Sequence, residues 1–149
     1  MITEVLEDLY QRDLEKLKIE IGKYSTEAGL WKTTGEITNS AGNLTLHLIG
    51  NLKHFFGAVL GKDGFVRDRD LEFSDVGVPR ETLISGIDQA LASVKSTLAK
   101  LPDADLQAQY PIDVFGHPMA TEYFLIHLAT HLNYHLGQIN YHRRLFGHG

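Results

Sequence analysis

The 149-residue chain has no cysteine, which excludes disulfides, thiolate metal ligands and a cysteine nucleophile. Its hydrophobic content of 43% beside 22% charged residues is ordinary for a globular protein, and its length suits one domain over residues 1–149. The formal charge of −5, with no basic cluster beyond Arg143 and Arg144, argues against nucleic-acid binding. No apolar run approaches the ~20 residues that span a bilayer, and the acidic amino terminus lacks a signal-peptide core. We therefore expect a cytoplasmic protein without membrane contact.

Four amphipathic segments are predicted as helices, over residues 2–24, 40–60, 79–101 and 118–146. Ser40 is a good N-cap for the second helix, and Pro79 and Pro118 suit the first turns of the last two. The intervening segments of about 15 residues are longer than a minimal up-down bundle needs. The pattern predicts an all-α four-helix bundle whose long connections either permit a crossover or build the mouth of a pocket.

Two residues in the first part of the chain break the simple pattern. Asp13 falls within the apolar face of the first helix, between Leu9 and Leu17. It either reaches water at the edge of that face or is a buried carboxylate that orients an imidazole. Trp31, in the first connection, is expected either to pack over the end of the bundle or to contact a substrate.

The second helix carries a polar stripe beside its apolar face, formed by Asn43, His47, Asn51 and His54. Its only charged residue is Lys53, which is unusual for an exposed helix. His47 is therefore either a metal ligand or a structural histidine. The following segment, Arg67 to Phe73, alternates in charge and predicts a solvated, internally paired loop. A contact of Arg67 or Arg69 with an anionic substrate is the alternative there.

The last helix contains the densest chemistry, because His127, His131 and His135 recur at intervals of four and form one stripe. Gln138 and His142 continue it. Neutral imidazoles are common ligands of zinc, nickel, copper and iron, and three nitrogen ligands are typical of an open, catalytic site. Neither a His-Glu-x-x-His motif nor the Glu-x-x-His pairs of di-iron bundles is present. Haem ligation and a purely structural polar seam remain as alternatives.

The segment His131-x-x-x-His135-x-Gly137-Gln138-Ile139, with Asn43-Leu-Thr-Leu-His47 upstream, resembles the motifs of the DinB-like (YfiT-like) superfamily. The resemblance covers nearly the whole chain, and the Arg67–Phe73 segment is similar to a mostly uncharacterised branch. It implies a four-helix bundle in which His47, His131 and His135 bind one divalent metal, commonly zinc or nickel. His127 and His54 lie outside that triad and either support the ligands or are structural. Homodimers are also implied.

The activities implied by the resemblance are transfer of a low-molecular-weight thiol to an electrophile, isomerisation with a thiol cofactor, and hydrolysis. We therefore expect a metal-dependent enzyme acting on a small-molecule substrate, with a thiol as a candidate co-substrate. Asn51 and Tyr134 are candidates for hydrogen bonds near the metal. A metal-binding or stress-response protein without turnover is the alternative, and a helical interaction module with structural histidines is the third hypothesis.

Overall fold

The structure of the protein, a computed structural model, describes residues 1–148. This part of the chain forms six α-helices: α1 (Ile2–Gly22), α2 (Ala41–Leu52), α3 (Arg69–Ser74), α4 (Arg80–Lys100), α5 (Asp103–Gln107) and α6 (Thr121–Phe146). A 3-10 turn, Glu27–Trp31, precedes α2, and a π-helix, Lys53–Leu60, continues it. The four long helical segments are those predicted from the periodicity.

The four long helices form a bundle around one core. Helix α1 packs against α4 and α6, and α2 packs against the same two helices. The all-α four-helix bundle is therefore confirmed. The core consists mainly of leucine with a few aromatic side chains, among them Tyr10, Leu17, Leu48, Phe56, Ile87, Phe124 and Leu132. Each such fully buried side chain contributes about 1.5–3 kcal/mol by its removal from water. Within residues 1–148, no helix is long and apolar enough to cross a membrane.

The helix boundaries follow local capping chemistry. The Ser40 hydroxyl accepts a hydrogen bond from the backbone N–H of Asn43, which caps α2 as predicted. Helix α6 begins at Thr121, three residues later than predicted. An isolated β-bridge pairs Gln109 with Ala120 and keeps the chain extended up to that point.

The π-helix after α2 has side-chain donors for its carbonyl groups. Tyr110 donates its hydroxyl to the carbonyl of Phe55 at 2.6 Å, and Thr97 donates to the carbonyl of Phe56 at 3.2 Å. These bonds attach the end of the second helix to α4 and to the connection before α6. Segments of π-helix are rare and often lie near functional sites.

Asp13 neither reaches water nor orients an imidazole, the two roles expected for it; it has a third. The Asp13 side chain is 3% exposed, so it does not reach water, and within residues 1–148 it hydrogen-bonds no histidine. Its carboxylate accepts hydrogen bonds from Asn133 at 3.0 Å and from Arg12 at 2.9 Å, which joins α1 to α6. Burial requires such partners for a carboxylate.

Trp31 lies over the beginning of α2. A Cβ atom at Gly42 would stand 2.5 Å from the indole Cζ3, so glycine is needed there for the ring to approach the helix. Trp31 packs against the core, as expected for a side chain that covers the end of the bundle.

Candidate metal centre

Three histidines meet between α2 and α6. His47 lies on α2, and His131 and His135 lie one helical turn apart on α6. The two helices run antiparallel, because Leu44 lines the same cleft as Leu145 while the Phe55 ring packs on Phe124. The leucines beside these histidines, such as Leu48 and Leu132, are buried in the core. Their burial places the imidazoles at the rim of the bundle.

The imidazoles are close enough to share one ion. His47 Nε2 and His131 Nε2 are 3.1 Å apart, and one nitrogen from each of the three rings lies within 4.8 Å of the others. The ring centres of His131 and His135 are 4.6 Å apart. Within residues 1–148, this is the group of three that geometry singles out as able to hold a metal ion.

Hydrogen bonds define the tautomers of two of these rings. His47 Nδ1 lies 3.1 Å from Glu72 Oε1, and His135 Nδ1 lies 2.7 Å from Gln138 Oε1. A carboxylate or amide oxygen only accepts, so each Nδ1 carries the proton and each Nε2 keeps a free lone pair. Metal-bound histidines in proteins show this pattern, in which an oxygen acceptor orients the ring.

His131 is partly buried and is held neutral. Burial, followed by repulsion from His135 and His47, lowers the pKa of His131 to about 3. Burial likewise lowers the pKa of His135, although its bond to Gln138 acts in the opposite direction. Both rings are therefore neutral at pH 7, and neutral imidazole is the form that binds metals.

The donor set fits a divalent cation. Two nitrogens 2.0–2.1 Å from a tetrahedral zinc ion would stand about 3.3 Å apart, close to the 3.1 Å between His47 and His131. The buried Nδ1 of His131 has no hydrogen-bond partner within the described residues. Such an unpaired buried nitrogen costs about 1–3 kcal/mol.

A carboxylate from the connection after α2 supports His47. Glu72, on α3, is 7% exposed and forms a bidentate pair with Arg67, with Nε–Oε2 at 2.8 Å and Nη2–Oε1 at 2.9 Å. Burial by itself raises the pKa of Glu72, but the hydrogen bonds from His47 and Arg67 outweigh it and hold that pKa below its usual range. The predicted pairing within the segment is present, but the predicted solvation is wrong here, because Glu72 is buried and Arg67 is largely covered against the histidine cluster.

Comparison with known proteins assigns this chain to a family. A family model described as "Protein of unknown function (DUF1572)" matches residues 6–148. The chain belongs to the DUF1572 family. Its fold is similar to the crystal structure of a DinB-like protein from Bacillus cereus, at 20% identity and a TM-score of 0.75. The alignment covers 95% of this chain and 91% of that one, so the DinB-like resemblance is confirmed for the fold. A search of curated proteins found no match.

The remaining candidate residues of this DUF1572 chain lie around the triad. Asn51 is 6% exposed, and its buried side-chain oxygen has no hydrogen-bond partner among the described residues. Tyr134 is 66% exposed, with its ring centre 5.5 Å from that of His135. His127 stacks on Phe124 and is not part of the three-histidine group. Among residues 1–148, none of these three side chains hydrogen-bonds a histidine of the triad.

Other residues of the predicted stripes have different surroundings. His54 lies beyond Asn51, its buried Nδ1 has no partner within residues 1–148, and burial lowers its pKa. Arg69 lies over the ring of Phe73, with 5.3 Å between its guanidinium carbon and the ring centre. His142 accepts a hydrogen bond at Nδ1 from Tyr24, and its Nε2 donates to the carbonyl of Lys32. These contacts give His142 a structural role.

A cleft of 360 Å³ opens beside His135. Its walls come from α6, through Gln138 and Tyr141, from α2, through Leu44, and from the turn at Ile37. Two backbone hydrogen bonds between Thr34 and Ile37 close that turn. The long first connection therefore builds part of a pocket mouth next to the triad, which is one of the two roles expected for it.

The sequence did not single out Glu72, nor did it indicate that the Arg67–Glu72 pair lies against the histidines. Their alternating charges are typical of solvated loops, and neither lies at a fixed spacing from the histidines. One local feature does point to them. Gly50, three residues after His47, is an unexpected glycine inside a helix, where it weakens the helix unless something needs the space.

Proposed function

We propose that the protein is a metal-dependent enzyme in which His47, His131 and His135 hold one divalent cation, zinc or nickel. The observation that carries the proposal is the convergence of three imidazoles, two of them with Nδ1 bonded to an oxygen acceptor. When bound, such a cation lowers the pKa of a coordinated thiol or water or polarises a carbonyl. The proposed reaction is either transfer of a thiol to a small-molecule substrate or hydrolysis of such a substrate.

The protein side chains have separate tasks in this proposal. Glu72 and Gln138 orient two of the ligands, and burial keeps His131 neutral. The cleft beside His135 takes the substrate, because it reaches a ligand and has apolar walls. Tyr134 and Asn51 are the candidates for hydrogen bonds to a bound substrate or to a ligand ring.

One observation favours the alternative of a metal-binding or stress-response protein without turnover. Both oxygens of Glu72, the carboxylate in contact with the triad, are already engaged by Arg67 and His47. A carboxylate held in this way is poorly suited to take a proton from a substrate. In the enzyme proposal, the thiol or water would therefore lose its proton to solvent, and in the alternative no reaction takes place.

Elemental analysis of untagged protein tests the metal site. We expect about one zinc or nickel ion per chain in wild type, lost in His47→Ala and in His131→Ala. His127→Ala is the matched control, since it removes an imidazole from the same helix outside the triad. Wild type that stays metal-free on titration with both ions would contradict the proposal.

Turnover assays then separate the enzyme from the alternative. Metal-loaded protein is screened with thiols against electrophiles and with hydrolysable esters and amides. Saturable turnover that disappears in His135→Ala excludes the non-catalytic protein. Metal binding without any turnover across these panels favours it.

The homodimer implied by the DinB-like resemblance is also a proposal for this chain. Sedimentation of the purified protein over a range of concentrations tests it. A mass near the 16.7 kDa of one chain at all concentrations would contradict it.

A further inference from the structure

Gly50 leaves a notch in α2 that the Glu72 carboxylate fills. A Cβ atom at Gly50 would overlap Oε2 of Glu72 and stand 2.7 Å from its carboxyl carbon. The notch lies one turn beyond His47, so a carboxylate seated in it reaches the back of that imidazole. Any larger side chain at position 50 would push the carboxylate away.

Two hydrogen bonds from α2 hold the segment around Glu72, and Arg67 holds its carboxylate. The Asn43 amide donates to the backbone carbonyls of Glu72 at 3.0 Å and Asp75 at 2.7 Å. Arg67 engages both carboxylate oxygens. The carboxylate is thus fixed by the notch, by the backbone of its own helix and by a guanidinium, with little freedom to change partners.

Which ring nitrogen of His47 carries the proton depends on the Glu72 carboxylate. Arg67 Nη2 also approaches His47 Nδ1, at 3.3 Å, and would donate to it if that nitrogen were bare. A bare Nδ1 would then face Glu72 Oε1 at 3.1 Å, lone pair against negative charge. The proton therefore belongs on Nδ1, where it is shared with a charged acceptor, and Nε2 is bare.

We propose that Glu72 is a positioning residue that keeps His47 in its Nδ1–H tautomer and so presents the Nε2 lone pair to His131 and His135. Arg67 keeps both oxygens of Glu72 occupied, which holds the carboxylate behind His47 instead of among the ligands. The inference rests on the proposed metal site. It adds to that site the residues that prepare one ligand before any ion arrives.

Two other histidines provide internal references for a test. His135 has the same Nδ1–H tautomer through Gln138, which is independent of Glu72. His142 has the opposite tautomer, because its Nε2 donates to the Lys32 carbonyl. Long-range ¹H–¹⁵N correlation spectra of metal-free protein distinguish the two tautomers and report all three rings at once.

Glu72→Ala is the variant to compare with wild type. It removes the acceptor of His47 Nδ1–H and leaves Arg67 Nη2, 3.3 Å from that nitrogen, free to donate to it, so the Nδ1–H tautomer of His47 is no longer favoured. We expect His47 to shift toward Nε2–H while His135 and His142 stay unchanged, and zinc affinity to fall about 10- to 100-fold. Asp75→Ala is the matched control, because it removes an acidic side chain in the same segment whose carboxylate bonds only the N–H of Val76 among the described residues.

Gly50→Ala provides a second test that leaves the acidic side chain in place. It should reproduce the tautomer shift and the weaker zinc binding by displacing the carboxylate. An unchanged His47 tautomer in both folded variants would overturn the inference, even if zinc binding fell. If wild type does not bind zinc but the His47 tautomer still changes in both variants, the proposed function is refuted. The orientation of His47 by Glu72 is then still supported.

Discussion

A cation held by His47, His131 and His135 stabilises the folded chain, because the unfolded chain cannot keep the three nitrogens within 4.8 Å. At a free metal concentration of 100 times the dissociation constant, the gain in unfolding free energy is about 2.7 kcal/mol. For a domain of this size, 1 kcal/mol corresponds to about 2–4 °C. Zinc or nickel should therefore raise the melting temperature by roughly 5–11 °C.

His131→Ala removes a direct ligand and should remove most of this gain. Loss of a supporting residue already weakens metal binding about 10- to 100-fold, so loss of a ligand should cost at least the upper figure. At the same metal concentration the gain then falls to about 0.4 kcal/mol, or 1–2 °C. The difference between melting temperatures with and without metal is the quantity to compare, since it cancels the effect of the substitution on the metal-free protein.

Differential scanning fluorimetry with a metal titration measures these shifts. His127→Ala is the control, because it lies one turn before His131 on α6 but outside the three-histidine group. We expect it to keep the full shift. A wild-type shift below about 1 °C at saturating zinc and nickel, or a full shift in His131→Ala, would refute the reasoning.

Two further predictions concern the scaffold around the site. Glu20 accepts hydrogen bonds from Asn140 and Arg143. Burial by itself raises the pKa of Glu20, but these bonds outweigh burial and lower the folded-state pKa below the unfolded value near 4.5. Its contribution to stability is thus present above about pH 4.5 and is lost as the pH falls through the folded pKa. Glu20→Gln should lower the free energy of unfolding by about 1–2 kcal/mol at pH 7 and by less at pH 3, measured by urea titration; an equal loss at both values would contradict the pairing. Gly42→Ala should displace the ring of Trp31, the single tryptophan, and cost about 1–3 kcal/mol. A red shift of the fluorescence with a lower urea midpoint checks this, and an unchanged spectrum would contradict the contact.

The sequence by itself determined the features that depend on near neighbours in the chain. Hydrophobic periodicity predicted the four helices, and the side chain of Ser40 capped the second one. The spacing of four put His131 and His135 on one face, since helix geometry alone decides that relation. The resemblance to DinB-like proteins added His47 to them, and the structure brings all three together.

The tertiary structure alone decided which distant groups meet. Glu72 reaches His47 across 25 positions in the chain, and Asn133 reaches Asp13 across 120. A charged segment such as Arg67 to Glu72 has the composition of a solvated loop, and only the notch at Gly50 and the docking by Asn43 bring it inside. Local propensity cannot encode such pairs, because they depend on how the helices pack and where the connections cross them.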